Sequence, residues 1–236
     1  MLFLRLINKK LLTMKKLFLL TAVAVMGLSA KAQEFRFGPK AGYSYSTLKL
    51  KDNSDSETSD PLHTFYIGGI AEYKVSDRFG LQGELLYSQL GGKLNIAEVD
   101  PSDPTNFFNV KAKQTYHTLL IPVSAKYFIT EGLSVSAGAS FGVILSAKQK
   151  YSADLGLGGV IPGFEINSSD EVDIKDQLNT LNIAPFLGAE YMLENGLFFD
   201  ARYNMGVSNL AKDASNGEKL TNSFLQVGVG FKFGGN

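Results

Sequence analysis

From Arg36 onward the side chains alternate between apolar and polar with a period of two, and the apolar half of that alternation carries essentially no charge. A period of two belongs to strands whose two faces meet different surroundings. Arg36 to Leu48 sets Phe37, Ala41, Tyr43 and Tyr45 against Arg36, Lys40, Ser44 and Ser46. The same pattern predicts strands at Thr64 to Ser76, Leu81 to Leu90, Thr115 to Phe128, Leu133 to Ala147, Asn182 to Met192, Leu197 to Asn209 and Ser223 to Phe233, eight in all. The 24 glycines, 17 phenylalanines and 10 tyrosines of the 236 residues are a palette for strands and turns, not for helical bundles.

The connections alternate in length. Short turns are expected around Asp77-Arg78, Glu131-Gly132 and Glu194-Asn195-Gly196, and long polar links at Lys49 to His63, Asn95 to Gln114, Lys148 to Leu181 and Leu210 to Asn222. Short turns at one end and long loops at the other describe an all-β, antiparallel up-and-down transmembrane barrel. Eight strands are expected, or ten if the third link hides further strands, for example at Gly159 to Asn167.

The faces separate a membrane barrel from a soluble one. The polar face carries Arg36, Lys40, Glu72, Lys74, Glu84, Lys126, Glu190, Asp200, Arg202 and Lys232. The other face holds seven of the ten tyrosines, and Tyr73, Tyr127 and Tyr191 each come just before a short turn, as in an interfacial aromatic girdle. A charge on the lipid face at midplane costs about 2–4 kcal/mol, so the ten charged residues are expected to line the lumen and to neutralise one another there.

The chain start carries its own signal. Met1 to Ala32 contains six basic residues and no acidic one, which leaves 17 basic against 23 acidic residues in the remainder. Lys15-Lys16 precede the apolar or small stretch Leu17 to Leu28, and Ala30-Lys31-Ala32 fits a small-x-small cleavage site. Residues 1–32 are therefore expected to be a signal peptide, with Met14 the better start and cleavage before Gln33, and residues 33–236 the barrel domain. No apolar run reaches the ~18 residues of a transmembrane helix. The absence of cysteine excludes disulfides, thiolate metal sites and cysteine nucleophiles.

Motifs with chemical meaning are few. Gly138-Ala139-Ser140-Phe141-Gly142 matches G-x-S-x-G, but that motif needs a strained strand-to-helix turn, and here the alternation runs through it unbroken. Parity turns His117 outward and Ser140 inward, while His63 lies at a loop edge, so neither a catalytic pair nor a histidine metal site is expected. Asp170-Glu171-Val172-Asp173-Ile174-Lys175-Asp176 lacks EF-hand spacing and reads as a solvated loop, with cation bridging to lipopolysaccharide as the alternative. Leu155 to Val160 is glycine-rich without phosphate-loop spacing. No catalytic residue, cofactor, metal or nucleic-acid partner is expected.

Several segments resemble a known family. Phe35-Arg36-Phe37-Gly38-Pro39-Lys40-Ala41-Gly42, Leu81 to Gly92, and Leu120-Ile121-Pro122 leading into Lys126-Tyr127 are similar to the PorT-like "porin family" outer-membrane β-barrel domain. Gln226, Gly228, Phe231 and Phe233 resemble the C-terminal signal read by the barrel-assembly machinery, although Gly234-Gly235-Asn236 trail the last aromatic. The resemblance implies a cell outer membrane location, contact with outer-membrane lipid and lipopolysaccharide, and envelope or secretion-protein partners, since the member that names the family is associated with secretion. It supplies no catalytic residue. Two functions are expected to compete: a structural, interaction or secretion-accessory barrel with an ion-paired lumen, and a small passive channel for ions or polar solutes. Eight-stranded interiors are generally filled by side chains, which favours the first.

Overall fold

The computed structural model describes residues 35–52, 55–100, 102–157, 165–212, 214 and 218–235. The expected signal peptide and its cleavage site before Gln33 lie outside these. The elements are β1 (Phe35–Asp52), β2 (Asp55–Thr58), β3 (Asp60–Lys74), β4 (Phe79–Asp100), β5 (Asp103–Phe128), β6 (Leu133–Leu157), β7 (Glu165–Asp173), a 3₁₀ turn at Lys175–Gln177, β8 (Leu181–Met192), β9 (Leu197–Asn204), β10 (Lys219–Phe231) and β11 (Phe233–Gly234).

Antiparallel pairing runs β1–β3–β4–β5–β6–β8–β9–β10, and β10 pairs back onto β1 from Lys40↔Gly230 to Lys51↔Lys219, which closes the ring. Eight strands form the wall. Closure matters physically because an open edge strand would leave a row of backbone donors and acceptors without partners in hydrocarbon. The remaining short strands are additions: β2 pairs β1, β7 pairs β6, and β11 pairs β1 through Phe37↔Phe233.

The three short turns fall where the sequence places them. Phe79 N donates to Ser76 O, Leu133 N donates to Thr130 Oγ1, and Gly196 N donates to Leu193 O. Gly196 has φ +90°, a left-handed conformation that side chains with a Cβ rarely adopt. Phe35 pairs with Tyr73, so the beginning of β1 lies at this same turn end.

At the other end the sequence reading needs correction. The links Asn95 to Gln114 and Lys148 to Leu181 are largely strand: β4, β5 and β6 run for 22, 26 and 25 residues, well past the ~9–11 that span a bilayer. β7 overlaps the segment singled out as a hidden strand, but among the described residues it pairs only with β6 and leaves the wall at eight; residues 158–164 lie outside the description. In these links Lys, Thr, Ser, Asn and Asp are interspersed with apolar residues without the clean contrast of the membrane-spanning parts. Here β4, β5, β6 and β7 pair side by side beyond the membrane, where neither face meets lipid and the apolar contrast between faces is lost, which is why such segments read as loops.

Candidate functional site

Parity sorts the wall residues into two sets, and burial follows it. Phe37, Tyr43, Tyr45, Phe65, Ile67, Leu81, Leu85, Val123, Tyr127, Leu187, Tyr191, Phe199, Tyr203, Val227 and Phe233 are exposed on the outside, and Leu187 retains 70% of its accessible surface. Aromatic contacts gather at both ends of this apolar band. Phe37 packs on Phe233 (6.0 Å) and Phe79 on Tyr127 (5.2 Å) at the turn end, while Tyr43 and Tyr45 flank His63 and Tyr87 pairs with His117 towards the other.

Inside, the charged residues form two clusters. Near the turn end, Lys126 Nζ donates to Glu72 (2.6 Å), Glu190 (2.7 Å) and Gln82 (3.2 Å), and Lys232 Nζ donates to Glu72 (2.7 Å) and Glu190. Arg36 lies 3.6 Å from Glu72 at the edge of this group. One layer further in, Arg202 grips Glu84 with two parallel bonds of 2.8 and 3.1 Å, and Lys40 joins Glu84 (3.2 Å) to Asp200 (2.7 Å). Gln82 connects the layers by donating to Glu84 (2.8 Å) while accepting from Lys126. Lys74 is half-buried, with its ammonium 5.6 Å from the Phe128 ring centre.

Such buried charges are tolerated because Lys40, Glu72, Glu84, Lys126, Glu190, Arg202 and Lys232 each make at least two hydrogen bonds to partners. Among the described residues Asp200 is held by Lys40 alone, and its Oδ1, like Glu72 Oε1, is left without a hydrogen-bond partner. Inward aromatic faces add to the pairing: Lys232 stands 4.8 Å over Phe198, and Arg202 5.2 Å over Phe186. Sequence reasoning missed Gln82, Phe128, Phe186 and Phe198 as parts of the lumen. Their signal was parity alone, since each lies between outward-facing neighbours.

Above the charged layers the lumen changes character. Gln226 accepts from Arg202 Nε (2.9 Å) and donates to Ser44 (3.2 Å); Asn222 donates to Ser46 (2.8 Å), and Ser140 donates to Asn204 (2.7 Å). Ser140 is thus a buried mid-strand hydrogen-bond donor, and His117 lies on the opposite face of the wall, bonded to the Tyr87 hydroxyl. Tyr66, Leu86, Leu90, Leu120, Ala184 and Phe224 then form a buried apolar cluster. Gly228 is required beneath it, because a Cβ there would come within 1.9 Å of the Tyr66 hydroxyl.

A second apolar cluster joins Leu48, Tyr116, Ile144 and Ala147 of the wall to Ile174, Leu178 and Leu210 of the connecting segments. The 3₁₀ turn is what brings them in. Ile174 N donates to Ala147 O, Asn179 N to Leu210 O and Lys212 N to Gln177 O, so the third and fourth links are stitched across the barrel end. The acidic stretch of the third link is engaged as well. Glu171 accepts from Lys148 (2.7 Å) and forms an ion pair with Lys150 (2.8 Å), Asp170 accepts from the Glu171 amide, and Asp173 from the Lys175 amide.

The hydrogen bonds from Lys148 and Lys150 hold the exposed Glu171 carboxyl down at about 2, against an ordinary 4.5. A depressed carboxylate contributes its pairing fully above the ordinary value and loses it as pH falls towards the folded value. Amide exchange in β7, corrected for intrinsic rates, is therefore expected to quicken between pH 4.5 and 2, and Glu171→Gln to flatten that dependence. An unchanged profile in the variant would detach β7 order from this ion pair. Among the described residues no group of three or more His, Asp or Glu side chains is arranged to hold a metal ion.

A closed antiparallel ring with an apolar outside, aromatic rims and ion-paired charges inside is a membrane-spanning β-barrel. The sequence model of the family described as "Outer membrane protein beta-barrel domain" matches residues 31–212, so the chain belongs to that family and is an outer-membrane protein. No match was found among curated proteins. Solved structures similar to it include Ail, the attachment invasion locus protein of Yersinia pestis (14% identity, 85% of this chain, 99% of that one, TM-score 0.42). Others are Neisserial surface protein A (18% identity, 84% and 97%, TM-score 0.36) and OprG from Pseudomonas aeruginosa (15% identity, 86% and 97%, TM-score 0.36).

Proposed function

We propose that the protein is a closed outer-membrane barrel that serves as a structural, interaction or secretion-accessory envelope component. In this reading Arg36, Lys40, Glu72, Lys74, Glu84, Lys126, Glu190, Asp200, Arg202 and Lys232 line the lumen as a structural core, and contacts with other envelope components are made beyond the membrane. The observation that carries it is the stack of layers across the lumen: two ion-pair clusters, a polar ladder and two apolar clusters, the last including Ile174, Leu178 and Leu210 from the links. An ion crossing such apolar layers would shed its hydration with nothing to replace it. The PorT-like resemblance supports the secretion-accessory form. Met1 to Ala32 would serve as the exported leader, and Gln226, Gly228, Phe231 and Phe233 as the assembly signal.

Planar-bilayer recording tests this. Protein shown to be a folded barrel by its heat-modifiable gel shift is expected to give no discrete conductance steps. Reproducible steps from the unmodified protein would overturn the closed-barrel reading in favour of a small channel, and Lys40, Lys126 and Arg202 would then be the first substitutions to test for selectivity.

A further inference from the structure

The outward face changes composition in the same order on five wall strands. On β1 the outward residues beyond Tyr45 are Thr47, Lys49 and Lys51; on β5, beyond His117, they are Thr115, Lys113 and Lys111. On β10, beyond Leu225, they are Ser223, Thr221 and Lys219; Lys93 on β4 and Lys148 and Lys150 on β6 occupy the corresponding heights. By register, each lysine therefore lies one to three outward positions beyond the level of Tyr45 and His117 in the upper rim, where headgroups begin.

These lysines are not arranged to neutralise one another. The register sets Lys93 opposite Lys113 and Lys113 opposite Lys150, and on the far side it sets Lys51 opposite Lys219. Like charges directly across a strand pair repel and destabilise the pairing unless an anion lies over them. Glu171 supplies one carboxylate, to Lys148 and Lys150, but no described carboxylate pairs with Lys111 or Lys113. An open groove of about 440 Å³ lies at this point, where Lys111, Lys113 and Lys150 and the serines Ser152 and Ser169 share the lining with Tyr151 and two acidic residues, Asp170 and Glu171. The turn end has no such belt: Asp77, Glu131 and Glu194 accompany Arg78 there.

We propose that this lysine belt, focused at the Lys111–Lys113–Lys150 groove, seats the phosphate groups of outer-leaflet lipopolysaccharide. The chemistry is that of a phosphate monoester on a sugar: lysines supply the charge, and the Ser152 and Ser169 hydroxyls are donors for sugar and phosphate oxygens. The position selects the lipid over a soluble anion, because the groove continues the lipid-facing surface: its lysines on β5 lie about 14–20 Å along the strand from His117, at ~3.4 Å per residue. The proposal rests on the outer-membrane placement of the chain and is independent of whether the lumen conducts.

The test uses the full protein purified from outer membranes, placed in phosphatidylcholine vesicles containing either lipid A or enzymatically dephosphorylated lipid A. The temperature of the heat-modifiable gel shift and the lipopolysaccharide retained through purification are the readouts. Phosphorylated lipid A is expected to raise the unfolding temperature above that in the dephosphorylated vesicles. The triple variant Lys111→Gln, Lys113→Gln, Lys150→Gln should lose that difference and retain about tenfold less lipopolysaccharide. Lys175→Gln with Lys212→Gln, at the barrel mouth, should change neither. If the triple variant fails to fold, Lys113→Arg should preserve the lipid effect and Lys113→Gln weaken it. Equal stabilisation by both lipids, or full retention by the triple variant, would overturn the proposal. So would binding of inorganic phosphate in detergent as tight as that of lipid A, which would assign the groove to a soluble anion.

Discussion

Glu84→Ala is expected to destabilise the barrel by about 3–5 kcal/mol, read as a lowered urea midpoint in lipid vesicles. The carboxylate accepts both guanidinium bonds from Arg202, the ammonium of Lys40 and the amide of Gln82, and it is almost fully buried. Truncation leaves two cations inside the wall, with Asp200 alone to face them. The cost comes from stranding those charges, not from losing a favourable pair, so Glu84→Ala combined with Arg202→Met should cost less than the sum of the separate changes. Glu84→Gln keeps the shape and part of the hydrogen bonding and should fall between. A midpoint unmoved by Glu84→Ala would mean that water reaches this layer freely, and the closed lumen would have to be abandoned.

Leu187→Arg addresses the other face. Leu187 lies mid-strand on β8 with 70% of its surface exposed, between Ala137 and Tyr203 of the neighbouring strands. In a bilayer an arginine at this depth costs about 2–4 kcal/mol, whereas on a water-facing wall a substitution of this kind stays within about ±0.5 kcal/mol. Folding yield into vesicles and the urea midpoint should both fall. Leu187→Ala separates this from loss of packing, because little packing exists to lose on an exposed side chain. A neutral outcome for Leu187→Arg would place this strand outside the hydrocarbon.

The outward apolar residues between the two aromatic rims were assignable from the period of two, because a lipid-facing strand must be apolar at each second position whatever its neighbours are; beyond the register shift in β6, the outward Lys148 and Lys150 fall on the other parity. The inward charges were equally visible, since the alternation leaves them no other side. Their partners were not. Lys126 reaches Glu72 and Glu190 from residues 54 and 64 positions away in sequence, and Arg202 reaches Glu84 across 118. Such pairs depend on strand order, tilt and stagger, and none of these has a local sequence correlate.

The same reason explains the corrections at the long-strand end. In Asn95 to Gln114 apolar residues such as Ile96, Val99, Phe107 and Val110 are scattered among polar ones without a clean contrast between two faces, so only the ladder of cross-strand bonds from Lys93↔Lys113 to Asp100↔Asp103 reveals the strands. Ile174, Leu178 and Leu210 are isolated apolar residues in polar links, and in isolation they carry no message. Their burial exists only because the 3₁₀ turn at Lys175–Gln177 and the bridge between Leu178 and Ala211 fold two distant links over one barrel end.

Alternation and charge segregation, local consequences of a strand between lipid and a narrow interior, made the class of fold and the face of the residues between the aromatic rims readable from the chain alone. The tertiary structure alone decided which charges pair, how far the strands extend beyond the membrane, what covers the lumen, and that lysines from several strands meet in one belt. Each of those depends on register around a closed ring, a property of eight strands together and of none of them singly.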